Sequence, residues 1–159
     1  MHEVSVRYRR QNRQTAIDGS VGPTVFVWTA RSKAGHGTAI DGSWGEQTIT
    51  AEMHERRLGN GVATVAGTLG EGAITLDIAQ HLSLGLDVTG TIGTDDVALR
   101  LDRPVGARRR IVHRQPQPEA ALLIAWQNLG GSLTGKVTRP IDAVAATVVG
   151  LAAGALTNR

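Results

Sequence analysis

Apolar and polar residues alternate one by one along much of the first hundred positions. Phe26, Trp28 and Ala30; Ile49, Ala51 and Met53; Ile74, Leu76 and Ile78; and Val97, Leu99 and Leu101 each take every second place. A period of two puts such residues on one face of a β-strand. In the last three runs the intervening positions are largely polar (Thr48, Thr50, Glu52; Thr75, Asp77; Arg100, Asp102), so one face is buried and the other wet. That division predicts an antiparallel sheet.

Each run follows a hexapeptide of the form aliphatic, any, Gly, Ser/Thr, apolar, Gly, at residues 17–22, 40–45, 65–70 and 88–93, spaced 23, 25 and 23 apart. Each unit reads as strand, turn, strand, with turns at Gly22-Pro23, Gly45-Glu46-Gln47, Gly70-Glu71-Gly72 and Thr94-Asp95-Asp96. The connections at 34–37 and 58–61 also carry turn residues, Asn60-Gly61 among them. Four hairpin repeats over 15–103 therefore predict eight strands in a meander. The third place of each copy is a strand glycine (Gly19, Gly42, Gly67, Gly90), which costs about 0.5–1 kcal/mol relative to Ala. Four such costs at one phase point to curvature, or to close approach of something packed within.

Beyond residue 103 the pattern changes. Residues 104–118 form an Arg/Pro-rich connection, and 119–126 suit either a short helix or a buried strand. A fifth, imperfect copy at 129–135 adds a strand pair within 119–140. From Ile141 to Leu156 the only polar side chains are Asp142 and Thr147, so a helix there is apolar on every side and must be buried. Sixteen residues make a rod of about 24 Å, comparable with strands of seven or eight residues. The expected fold is mainly β. It is a single domain over 1–159, an antiparallel meander or barrel of four hairpin repeats with an apolar helix at 141–157 packed in or against it. Residues 1–14 are read as a basic N-terminal segment. This arrangement resembles the architecture of the tubby-like and scramblase-like family, which implies a many-stranded barrel enclosing a hydrophobic C-terminal helix. The resemblance extends to no residue motif, so the family's lipid chemistry is assigned to no position.

Composition supports this reading. A chain of 159 residues, 41% hydrophobic, suffices for one core, and 20 glycines against three Trp, one Tyr and one Phe favour tight turns over a helical bundle. The absence of cysteine excludes a disulfide scaffold, a thiolate metal site and a Cys nucleophile. The formal net charge is +3, but it is unevenly spread: residues 1–13 carry +3 and residues 100–114 carry +5. Lys33 and Lys136 are the only lysines among 17 basic residues. Such a ratio is an imprint of a GC-rich genome, and it also suits bidentate recognition of anions. Arg7, Arg9, Arg10, Arg108, Arg109 and Arg110 are thus candidate anion-binding residues, with acidic lipid or nucleic acid as the expected partner. Only Tyr8 interleaves with them, so base stacking is not indicated. The exposed edges of a meander predict a homo-oligomer. No apolar run marks a secretory signal, which suggests a cytoplasmic or already processed chain, and sixteen apolar residues fall short of a membrane span.

Candidate chemistry is sparse. Glu52 and His54 form the only His/carboxylate cluster and share one strand face, while Trp28 and Trp44 are large rings that could floor an apolar pocket. No nucleophile elbow, phosphate loop, dinucleotide fingerprint or metal-ligand spacing occurs, and no cofactor is expected. The leading expectation is a non-enzymatic β-repeat domain acting in binding or assembly through an Arg-rich face. The alternative is a small-molecule or hydrolytic pocket inside the barrel, built on Trp28, Trp44 and His54.

Overall fold

The computed structural model describes residues 1–33, 37–55, 61–80, 85–127 and 129–157, so the turns expected at 34–36 and 58–60 lie outside the described residues. Twelve strands precede one helix. They are β1 (His2–Gln11), β2 (Gln14–Val21), β3 (Thr24–Lys33), β4 (Gly37–Trp44), β5 (Gln47–Glu55), β6 (Gly61–Leu69), β7 (Gly72–Gln80), β8 (Leu86–Ile92), β9 (Asp95–Leu101), β10 (Arg108–His113), β11 (Ala120–Gln127) and β12 (Gly130–Val137), followed by α1 (Pro140–Thr157). Every strand pairs antiparallel with its sequence neighbours, and β1 pairs with β12 to close the barrel. Turns separate β2 from β3, β4 from β5, β6 from β7 and β8 from β9, at or next to the positions expected from the glycine hexapeptides.

Three departures from the expected layout share one cause, which is that burial alternates even where composition hides it. The strand count is twelve rather than ten. Within the basic N-terminal segment, Val4, Val6 and Tyr8 point inward while Ser5, Arg7 and Arg9 point out, which makes β1. The Arg/Pro-rich connection contains β10, anchored by the fully buried Ile111. Residues 120–127 are a strand and not a helix: Ala120, Leu122, Ile124 and Trp126 are buried in alternation with outward Ala121, Leu123 and Gln127.

Closure also removes the edges on which edge-to-edge oligomer pairing was expected, since only a closed sheet truly abolishes them. The alternation runs apolar inward and polar outward, the reverse of what a membrane-spanning barrel presents to lipid. Among the described residues no helix is long and apolar enough to cross a membrane.

The helix is the core of the barrel. Residues 142–153 are buried without interruption, a rise of about 18 Å. Eight-residue strands tilted as barrel strands are reach about 20 Å along the axis, so plug and wall match in length. Alanines and Gly150 keep the rod thin. Two inward side chains of the wall bond its backbone: Tyr8 Oη donates to the Thr147 carbonyl at 2.8 Å, and Trp126 Nε1 donates to the Gly150 carbonyl at 2.9 Å. At the N-terminal end the fully buried Asp142 carboxylate is held by the Arg139 guanidinium through both oxygens, at 2.9 and 3.3 Å. Arg139 also donates to the Asp96 carbonyl at 2.7 Å, tying the helix start to β9.

The strand glycines are explained by close approach of the neighbouring backbone. A Cβ on Gly67 would lie 2.1 Å from the Thr50 carbonyl oxygen and 2.5 Å from Ala51 Cα, and one on Gly42 would lie 2.1 Å from the Val27 oxygen. Adjacent strands there are packed nearer than a side chain allows.

Candidate anion-binding face

The barrel register brings the two arginine clusters onto one quadrant. Arg7 on β1 pairs with Ser132 on β12, Ser132 with Ala125 on β11, and Ala125 with Arg108 on β10. Arg7 and Arg108 therefore stand in one row, three strand spacings or about 14 Å apart at the backbone. The row on one side holds Arg9, Gly130 and Gln127, and the row on the other holds Ser5, Thr134, Leu123 and Arg110. All four arginines, Arg7, Arg9, Arg108 and Arg110, are exposed on the outer wall.

Arg10 and Arg109 alternate to the other side of their strands and leave this face. The Arg10 guanidinium lies 5.1 Å from the centre of the Trp126 ring, a cation–π contact. Arg109 is half-buried and donates from Nε to the Asp102 carbonyl at 3.0 Å. Burial lowers its guanidinium pKa, against the Asp102 carboxylate, which favours the charge.

The four outer arginines differ in how far their charge is already answered. Arg110 is bonded to the Asp102 carboxylate at 2.8 Å, and Arg9 faces Asp18 at 3.4 Å. Arg7 and Arg108 make no ion pair or side-chain hydrogen bond among the described residues. Between β1 and β11 the outer wall dips into a depression of about 530 Å³, lined by Arg7, Arg9, Gln127, Leu129 and Ser132 over the glycines that open β12. The dip has a local cause. Gly130 leaves an empty outward place between Arg9 and Gln127, and a Cβ there would lie 2.8 Å from the Tyr8 carbonyl oxygen.

The residues of the alternative pocket are not brought together. Trp28 and Trp44 are buried inside, each about 5 Å ring to ring from Phe26, and Trp28 Nε1 donates to the Ser43 carbonyl. Glu52 and His54 stand on the outer wall, where His54 Nε2 is 3.3 Å from a Glu52 oxygen and Lys33 bonds the same carboxylate. The Lys33 ammonium, and after it His54, hold the Glu52 carboxyl below its ordinary range. Among the described residues no group of three or more His, Asp or Glu side chains is placed to hold a metal.

Gln127, Gly130 and Ser132 were missed by sequence reasoning. The fifth glycine copy at 129–135 marked the place, but no local signal shows that β12 lies beside β1. Comparison with protein families, curated proteins and solved structures finds no match to this chain.

Proposed function

We propose that the protein is a non-enzymatic binding module that engages an anionic, phosphate-bearing partner through the outer quadrant of β1, β12, β11 and β10. The observation that supports this most is that Arg7 and Arg108 stand in one row and form no ion pair among the described residues, beside a depression that Arg7 lines. Arg9 and Arg110 are paired with carboxylates, whereas Arg108 and Arg7, although Asp18 stands opposite Arg7 across β2, form no ion pair, which favours an external anion. A pocket inside the wall has less support, because the axis is taken up by α1 and His54 faces the other way from Trp28 and Trp44.

The test uses three probes at low ionic strength: vesicles containing phosphatidylserine, a short single-stranded oligonucleotide, and a phosphate ester. Binding to at least one of them is expected, falling with added salt and falling further in Arg7→Gln/Arg108→Gln. Arg13→Gln/Arg31→Gln removes the same charge elsewhere and should retain it. The proposal fails if none of the probes binds, or if the two double variants behave alike.

A further inference from the structure

We infer that the depression on β1, β12 and β11 is a site for the phosphate group of a small phosphorylated molecule, held as a dianion beside Arg7 and Ser132. This rests on the anion-binding reading above and narrows it to one ligand class. The charge of the site is the first argument. Arg7 and Arg9 line it, Arg108 stands one strand beyond the lining residue Ala125, and Asp18 lies opposite Arg7, which leaves +2 to meet a monoester dianion. The donors are of the right kind: the Arg7 guanidinium offers a bidentate fork, the Ser132 hydroxyl stands beside it in the same row, and the Gln127 amide stands in the adjoining row. A volume of about 530 Å³ lies within the range of small-molecule sites, so it holds an organic body as well as a phosphate. Leu129, 71% exposed on the rim, gives that body an apolar contact.

A polyanion fits the same face less well. A strand laid along the quadrant would meet Glu3 within it and Asp18 and Asp102 at its two flanks, the last two already paired with Arg9 and Arg110. The aromatic residues of this quadrant, Tyr8 and Trp126, are turned inward and buried, so no ring is offered to a base. Arg7 and Arg9 stand together at the notch, which favours a compact ligand over an extended one.

Titration calorimetry and backbone amide chemical shifts, with ribose 5-phosphate, inorganic phosphate and ribose as probes, test the site. Ribose 5-phosphate should bind, with shift changes centred on residues 7–9, 127 and 130–132, and ribose should not. Affinity should fall about tenfold in Arg7→Gln and several-fold in Ser132→Ala. It should also fall as the pH drops through the second phosphate ionisation near 6, where the dianion becomes a monoanion. Gln127→Trp, an exposed change that fills the notch, should abolish phosphate-ester binding while leaving the fold and the outer arginines in place. If oligonucleotide or vesicles bind and ribose 5-phosphate does not, the anion-binding reading stands and this site is refuted. If phosphate-ester binding survives Gln127→Trp, the arginines act without the notch and the site is equally refuted.

Discussion

Gly67→Ala measures how tightly the barrel wall is wound. In an ordinary strand, replacing Gly by Ala stabilises by about 0.5–1 kcal/mol, because the unfolded chain loses freedom. At Gly67 the added methyl would sit 2.1 Å from the Thr50 oxygen, 2.5 Å from Ala51 Cα and 2.8 Å from Ala51 Cβ. Ordinary contact begins near about 3.5 Å, and two of the three atoms are backbone, so β5 and β6 must part by about 1 Å. Overpacking of this kind costs about 1–3 kcal/mol and sometimes more, and weakening one or two ladder hydrogen bonds adds about 1 kcal/mol each. The net expectation is a loss of about 3 kcal/mol. For a chain of this length that is a fall in Tm of about 6–12 °C. Gly37 is the control: it is also a buried strand glycine, but its added methyl would meet only side-chain atoms, at 3.6–3.8 Å. Gly37→Ala should be neutral or raise Tm by about 1–4 °C. Thermal and urea unfolding followed by far-UV circular dichroism compares the two. The close-approach account is wrong if Gly67→Ala is as stable as the parent, or if both substitutions shift Tm in the same direction.

Further expectations concern the plug. Tyr8→Phe should cost about 1 kcal/mol in urea unfolding, since it deletes the bond to the Thr147 carbonyl. Burial raises the Tyr8 phenol pKa above its ordinary value of 10, so only the unfolded state ionises there. Stability from this group is full below pH 10 and declines as pH rises beyond it, and a pH series should show that decline flattened in Tyr8→Phe. Arg139→Ala leaves a buried carboxylate unpartnered and should destabilise by about 3–5 kcal/mol, with Arg139→Ala/Asp142→Ala recovering part of the loss. Val148→Asp, placing a charge at a fully buried point of the helix, should abolish cooperative unfolding, read by calorimetry.

Sequence reading succeeded where the physics is local. The inward set of β5, Ile49, Ala51 and Met53, is stated outright by period two, and the all-round apolar character of 141–156 requires an enclosed helix. It failed where two signals overlapped. In β1 three arginines obscured the alternation of Val4, Val6 and Tyr8, and in β11 apolar residues on both faces erased the contrast that defines a strand. The candidate arginine face was half legible. The clusters could be named from sequence, but that Arg10 and Arg109 turn away while Arg7 and Arg108 align follows from a register across four strands. No hairpin turn sets the pairing of β1 with β12, because these strands are joined only through the rest of the barrel.

That closing pair has a consequence for how the chain acquires its structure. Tyr8 and Thr147 are 139 residues apart, yet they share a hydrogen bond at the centre of the molecule. During synthesis at about 5–20 residues per second, β1 must wait many seconds for the strand beside it and the helix beneath it. Until α1 emerges, the inward faces of the strands have nothing to pack around, and both ends of the growing sheet are open. Non-local closure of this kind places the protein among slow folders. The interval before closure is when a nascent chain of this design is most exposed to pairing with another copy of itself. Folding yield should therefore depend on chain concentration and on holdase chaperones far more than the finished barrel does, because the finished barrel presents no free edge.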